Sequence, residues 1–168
     1  MKLKQKVDMT IDAILIIIGM VMLILPTFKV TNIKHLFFTI MLLYAILNFI
    51  QFILTRKSKD YEGLYTTIIS LGIAITGLFF SFEDPLELAI SLLSWTTLMG
   101  VAKLIKASYY KDKRDRMYKL RIFTLIAFLI LGFLTSINLY YDAEIQVVVL
   151  GIFFYTHGIL ELIDPLVK

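Results

Sequence analysis

Six apolar stretches, at Ile11–Leu25, Leu36–Leu54, Leu64–Phe82, Leu86–Ile105, Ile122–Ile137 and Ile145–Ile163, leave this chain little other material to fold with. Most approach the roughly 20 residues that an α-helix needs to cross a hydrocarbon core about 30 Å thick. The first and fifth are shorter. They span if they recruit flanking residues such as Thr10, Tyr140 and Tyr141, thin the bilayer locally, or let lysine side chains reach back to the headgroups. The expectation is an all-α, polytopic membrane protein with six transmembrane helices, residues 1–168 forming a single transmembrane domain.

Composition agrees with that pattern. With 59% hydrophobic and 18% charged residues, too few polar side chains remain to cover a water-soluble surface. The net charge of +4 does not point to nucleic acid, because the bases lie in short runs beside apolar spans and form no aromatic-interleaved face. The lipid bilayer is the expected partner, with a second copy of the chain or another membrane protein as further candidates. Absence of Cys excludes disulfides, thiolate metal sites and covalent cysteine catalysis. Lys2, Lys4 and Lys6 ahead of the first stretch resemble a signal peptide, but the run ends in Leu25-Pro26-Thr27-Phe28 without a small-x-small cleavage site. It is expected to be a retained first helix.

Charge sets the orientation. If the N-terminus is inside, so are Arg56, Lys57, Lys59, Lys111, Lys113, Arg114, Arg116, Lys119, Arg121 and Lys168, and only Lys29 and Lys34 face out. Thirteen bases against two is a strong positive-inside bias and predicts that both termini are cytoplasmic. The outer loops hold Glu83, Asp84, Glu87, Asp142 and Glu144, although acids influence orientation less.

The spans also repeat. The second helices align as Ala45-Ile-Leu-Asn48-Phe-Ile-Gln51, Gly100-Val-Ala-Lys103-Leu-Ile-Lys106 and Gly158-Ile-Leu-Glu161-Leu-Ile-Asp164, and the first helices through Gly19, Gly77 and Gly132. Three tandem helical hairpins, at approximately 8–57, 62–110 and 118–166, account for this pattern. Each copy crosses twice, so successive copies share one orientation and the repeats are parallel. Small faces such as Ser70, Ala74 and Gly77, or Gly151 and Gly158, suit close helix packing in lipid.

Three hairpins, Gly-centred first helices ending near Pro26 and Pro85, and Gly-x-x-x-[Leu/Ile] at Gly100 and Gly158 together resemble the HdeD-like acid-resistance membrane proteins of bacteria. The resemblance covers nearly the whole chain. It departs at Ile137-Asn138, where the third hairpin lacks the outer Pro, and at Ala45, which replaces the second-helix Gly. It implies a bacterial plasma-membrane protein linked to acid or envelope stress, with no established reaction and no catalytic residues to carry over.

Polar groups within the spans are the candidate site. Tyr44, Asn48 and Gln51 on helix two and His157, Glu161 and Asp164 on helix six each form one helical face, with Lys103 and Lys106 at the matching register of helix four. Lys103 and Lys106 would neutralise Glu161 and Asp164, or snorkel to the nearby interface. His157 lies deepest and has the side chain whose ordinary pKa falls nearest neutrality. Catalysis and cofactor binding have little support. His157 and Glu161 lack a third metal ligand, His35 belongs to the opposite face, and the hydroxyls of Ser91, Ser94, Thr96 and Thr97 have no adjacent base. Two functional expectations follow. The first is a non-enzymatic protein of envelope stress tolerance; the second is a small transporter or proton-conducting pathway with a polar vestibule open to the cytoplasm.

Overall fold

The computed structural model describes residues 3–29, 32–56, 61–79, 84–111 and 116–167, with side chains omitted for 108–111 and 116. Of the topogenic charges, Lys2, Lys57, Lys59, Glu83, Lys113, Arg114 and Lys168 lie outside the described residues. Among the described residues six α-helices follow one another: α1 (Leu3–Ile24, continued by one 3-10 turn, Leu25–Phe28), α2 (Ile33–Thr55), α3 (Glu62–Gly77), α4 (Pro85–Lys111), α5 (Arg116–Ile137) and α6 (Ala143–Val167). Five of them are long and apolar enough to cross a membrane.

Local chemistry sets the helix ends. Pro26 opens the 3-10 turn, and Lys29, at φ 57°, closes it with its N–H on the Pro26 carbonyl at 2.9 Å. Asn32 caps α2 by accepting from the His35 N–H at 3.2 Å. Asp84 accepts from the Leu86 N–H at 2.8 Å, just ahead of a proline placed where a helix tolerates its missing donor.

Three boundaries differ from the expected spans. α3 stops at Gly77, short of the expected end at Phe82, which lies outside the described residues, and its 16 residues cover only about 24 Å at ~1.5 Å per residue. The stop is a tightening of the last turn, where Leu78 and Phe79 bond to the Ile75 and Thr76 carbonyls three residues back, each at 3.0 Å. α1 and α5 begin well before Ile11 and Ile122, so neither is short: each adds a polar first portion to its apolar run. Pro165, expected to follow the last helix, lies inside its final turn, where its carbonyl accepts from Gln5 Nε2 at 2.5 Å.

The helices form a closed ring in chain order, with α6 returning to α1. The tightest pairs are α1 with α6, α2 with α3 and α4 with α5, so packing is closest between successive expected hairpins and not within them. Small residues make these approaches possible. Gly19 lies against the Tyr155 backbone and Gly158 against Ile16 and the Asp12 carbonyl, while Gly63 meets Asn48 and Phe52, and Gly132 meets Thr96. Rising numbers on one helix meet falling numbers on the other, so each pair is antiparallel.

Inside the ring, Trp95 is fully buried and its ring centroid lies 5.5–6.4 Å from those of Tyr44, Phe128, Phe153, Phe154 and His157. Its indole N–H donates to Ser70 Oγ at 3.0 Å, satisfying the one polar atom of the Trp95 side chain. Outside the ring the pattern inverts: Ile17, Ile53, Ile68, Phe123 and Ile130 are all more than half exposed. A continuous apolar girdle of this kind is uncommon in water and natural in lipid.

Candidate functional site

Five helix ends meet at one end of the ring: the start of α1, the end of α2, the start of α3, and the ends of α4 and α6. They enclose a cavity of about 690 Å³. Tyr61, Tyr65 and Ile105, between 52% and 60% exposed, are the exposed members of its lining. Its wall carries Lys4, Asp8, Asp12, Glu62, Lys103, Lys106, Glu161 and Asp164, an unusual density of charge for helices otherwise apolar.

Ion pairs across the bundle organise most of that charge. Lys103 Nζ on α4 donates to Glu161 Oε1 on α6. Lys106 pairs with Glu62 on α3 and lies 3.7 Å from Asp164, which also accepts from Arg121 Nη2 on α5 at 2.5 Å. Glu62 is shared in turn with Lys4 on α1 at 3.6 Å. A single chain of alternating charges thus ties α1, α3, α4, α5 and α6 together. Helix α2 joins through Gln51 Nε2, which donates to Asp8 Oδ1.

Every residue of the expected polar cluster is in or beside this cavity. Tyr44, Asn48, Gln51, Lys103, Lys106, Glu161 and Asp164 line it. Asn48 spends its amide N–H on the Tyr44 carbonyl at 2.8 Å, a bond within its own helix. His157 is fully buried just below, tilted over the Phe128 ring at 4.6 Å between centroids and against Phe153 at 6.0 Å, with Nδ1 3.7 Å from Glu161 Oε1. Neither of its ring nitrogens makes a hydrogen bond among the described residues. His35 lies at the other end of α2, with Nδ1 2.8 Å from its cap Asn32. Ser91, Thr96 and Thr97 each return their hydroxyl to the carbonyl four residues earlier at 2.8 Å.

Sequence reasoning missed the contribution of the first helices, namely Lys4, Asp8, Asp12, Glu62 and Arg121. The signal was present: Asp8 and Asp12 fall one turn apart on the stripe that continues through Leu15, Gly19 and Met22, all buried.

Fold and site define a class: a helical membrane protein whose ring of helices is sealed by aromatic residues at mid-length and opens into a charged cavity at one end. No family model, curated protein or solved structure matches the chain.

Proposed function

We propose that this is a six-span protein of the bacterial inner membrane, with both termini cytoplasmic, whose charged cavity is a vestibule for a small polar solute or proton moved across the bilayer. The cavity carries the reading. Eight ionisable side chains gathered around one space at the ends of otherwise apolar helices are more charge than helix packing requires, because such residues are rare in membrane-spanning helices and mark polar pathways. The function is non-enzymatic. α3 completes the sixth crossing by local bilayer thinning and by recruiting residues beyond Gly77.

Three tandem hairpins, at approximately 8–57, 62–110 and 118–166, are the architecture in this proposal. The register that aligns Ala45, Gly100 and Gly158 also groups Phe37 with Leu92 and Leu150, all fully buried, and Tyr44 with Met99 and His157. One layer lower the same register gives Asn48, Lys103 and Glu161. The core of such a three-fold ring grades from apolar to charged along its axis. The acid-tolerance role implied by the HdeD-like resemblance concerns the cell more than the site, and is compatible with it, since acid protonates the carboxylates that set the cavity's charge. Survival of a gene-deleted strain in acid tests that role separately.

Purified protein in sealed proteoliposomes should dissipate an imposed pH gradient, read by an entrapped dye, faster than protein-free vesicles. Equal rates would remove the transport reading. Orientation has its own test in a chain with no native Cys. A single Cys at Asp84 or Asp142 should react with an impermeant thiol reagent in intact cells, and one at Glu62 should not; the reverse pattern inverts the topology.

A further inference from the structure

Among the described residues the ion pairs around the cavity leave two carboxylates out, Asp8 and Asp12. Asp12 is 8% exposed and lines the cavity. Among the described residues its carboxylate accepts no hydrogen bond and contacts no cation within salt-bridge distance. Its electrostatic surroundings are Glu161, Asp8, Lys103 and Glu62, three acids to one base, and that base is already engaged by Glu161. One turn earlier, Asp8 is held by the neutral amide of Gln51. Among the described residues five carboxylates line the space against three ammonium groups, and Arg121 behind Asp164 supplies a fourth positive charge. Among the described residues one buried carboxylate is thus left without a basic partner, and a carboxylate in that position is strongly disfavoured as an anion unless a proton or a bound cation neutralises it.

We infer that Asp12 anchors a small organic ammonium group, with Asp8 as the second carboxylate, a proposal that rests on the vestibule reading above. Size and lining select this class over a bare metal ion. About 690 Å³ falls within the ~300–1,000 Å³ of small-molecule pockets, whereas a hard cation is held by six or more oxygens at short range. Tyr44, Tyr61 and Tyr65 also line the cavity, and aromatic rings suit an alkylammonium, whose charge is attracted to ring faces and whose carbon chain is apolar. The paired lysines leave no free positive charge on the wall for an anionic ligand.

Isothermal titration at neutral pH, on protein in nanodiscs, tests this with three probes of one carbon skeleton: butylammonium, butanol and butyrate, at constant ionic strength. Butylammonium should bind and the other two should not. Asp12→Asn should weaken that binding by about tenfold or more, the scale of one lost charge-assisted contact, and Asp8→Asn by less. Asp142→Asn, at the exposed far end, should leave it unchanged. If Asp12→Asn does not fold, the three-probe comparison on the native protein still decides. Equal binding of all three probes, no binding of butylammonium, or affinity that survives Asp12→Asn overturns the assignment. Ammonium binding in a protein that dissipates no gradient would sink transport and leave the site. Gradient dissipation without Asp12-dependent binding would do the opposite.

Discussion

Replacing Gly19 with leucine abolishes the folded bundle. Gly19 sits where α1 crosses α6, and a Cβ there meets the backbone nitrogen and Cα of Tyr155, atoms that cannot turn aside as a flexible side chain would. Even Gly19→Ala must push the two helices apart along the most extensive interface in the molecule, at an expected cost of about 1–3 kcal/mol. Leucine exceeds what such a crossing absorbs. The check is the monodisperse fraction on size-exclusion chromatography together with thermal unfolding in detergent. Gly72→Ala provides the contrast, because a Cβ at Gly72 meets nothing within 4 Å and alanine favours the helix by up to ~1 kcal/mol. If Gly19→Leu folds and melts like the native protein, the α1–α6 packing described above is wrong.

Breaking the pair between Lys103 and Glu161 is the second large effect. Their side chains are only 17% and 23% exposed, so Lys103→Met strands a carboxylate and Glu161→Gln strands an ammonium in a poorly solvated space. Each single change should cost about 3–5 kcal/mol, the range for removing one member of a buried pair. Lys103→Met with Glu161→Gln should cost less than the two added together, by a coupling of about 1–3 kcal/mol. Denaturant or thermal unfolding of the four proteins measures it. Additive losses would mean that each side chain reaches water alone and the pair contributes nothing.

The sequence made the polar stripes of α2 and α6 legible for a simple reason: Asn48, Gln51, His157, Glu161 and Asp164 interrupt long apolar runs, and in a membrane such interruptions are conspicuous. The first-helix half of the cavity was hidden by the same contrast. Lys4, Asp8, Glu62 and Arg121 fall outside the apolar windows, where charge is ordinarily read as loop or orientation signal, whereas α1 and α5 begin a turn or two ahead of their windows and α3 begins at Glu62 itself. Asp12 sat at the edge of the first stretch and was absorbed into it. The ring order was illegible for a different reason. Which helix meets which depends on fits such as Gly19 on Tyr155 and Gly132 on Thr96, and small residues in apolar helices declare that they permit a close approach without naming the partner. The early end of α3 likewise depends on its last turn tightening, which no run of apolar residues announces.

Closing the ring through α1 and α6 has a consequence for how the protein is made. A ribosome delivers the helices in order, and at ~5–20 residues per second α1 waits several seconds before α6 is available. Throughout that interval the stripe bearing Asp8, Asp12 and Gly19 has no α6 to cover it, and Lys103 waits likewise for Glu161. The nascent chain therefore passes through a stage in which the Asp8 and Asp12 stripe is uncovered and Lys103 and Arg121 lack their α6 partners, and the arrival of the last helix covers the stripe and pairs both bases in one step. Quality control has a clear signal to read: a chain that stalls before α6 displays charged side chains that the finished one covers or pairs.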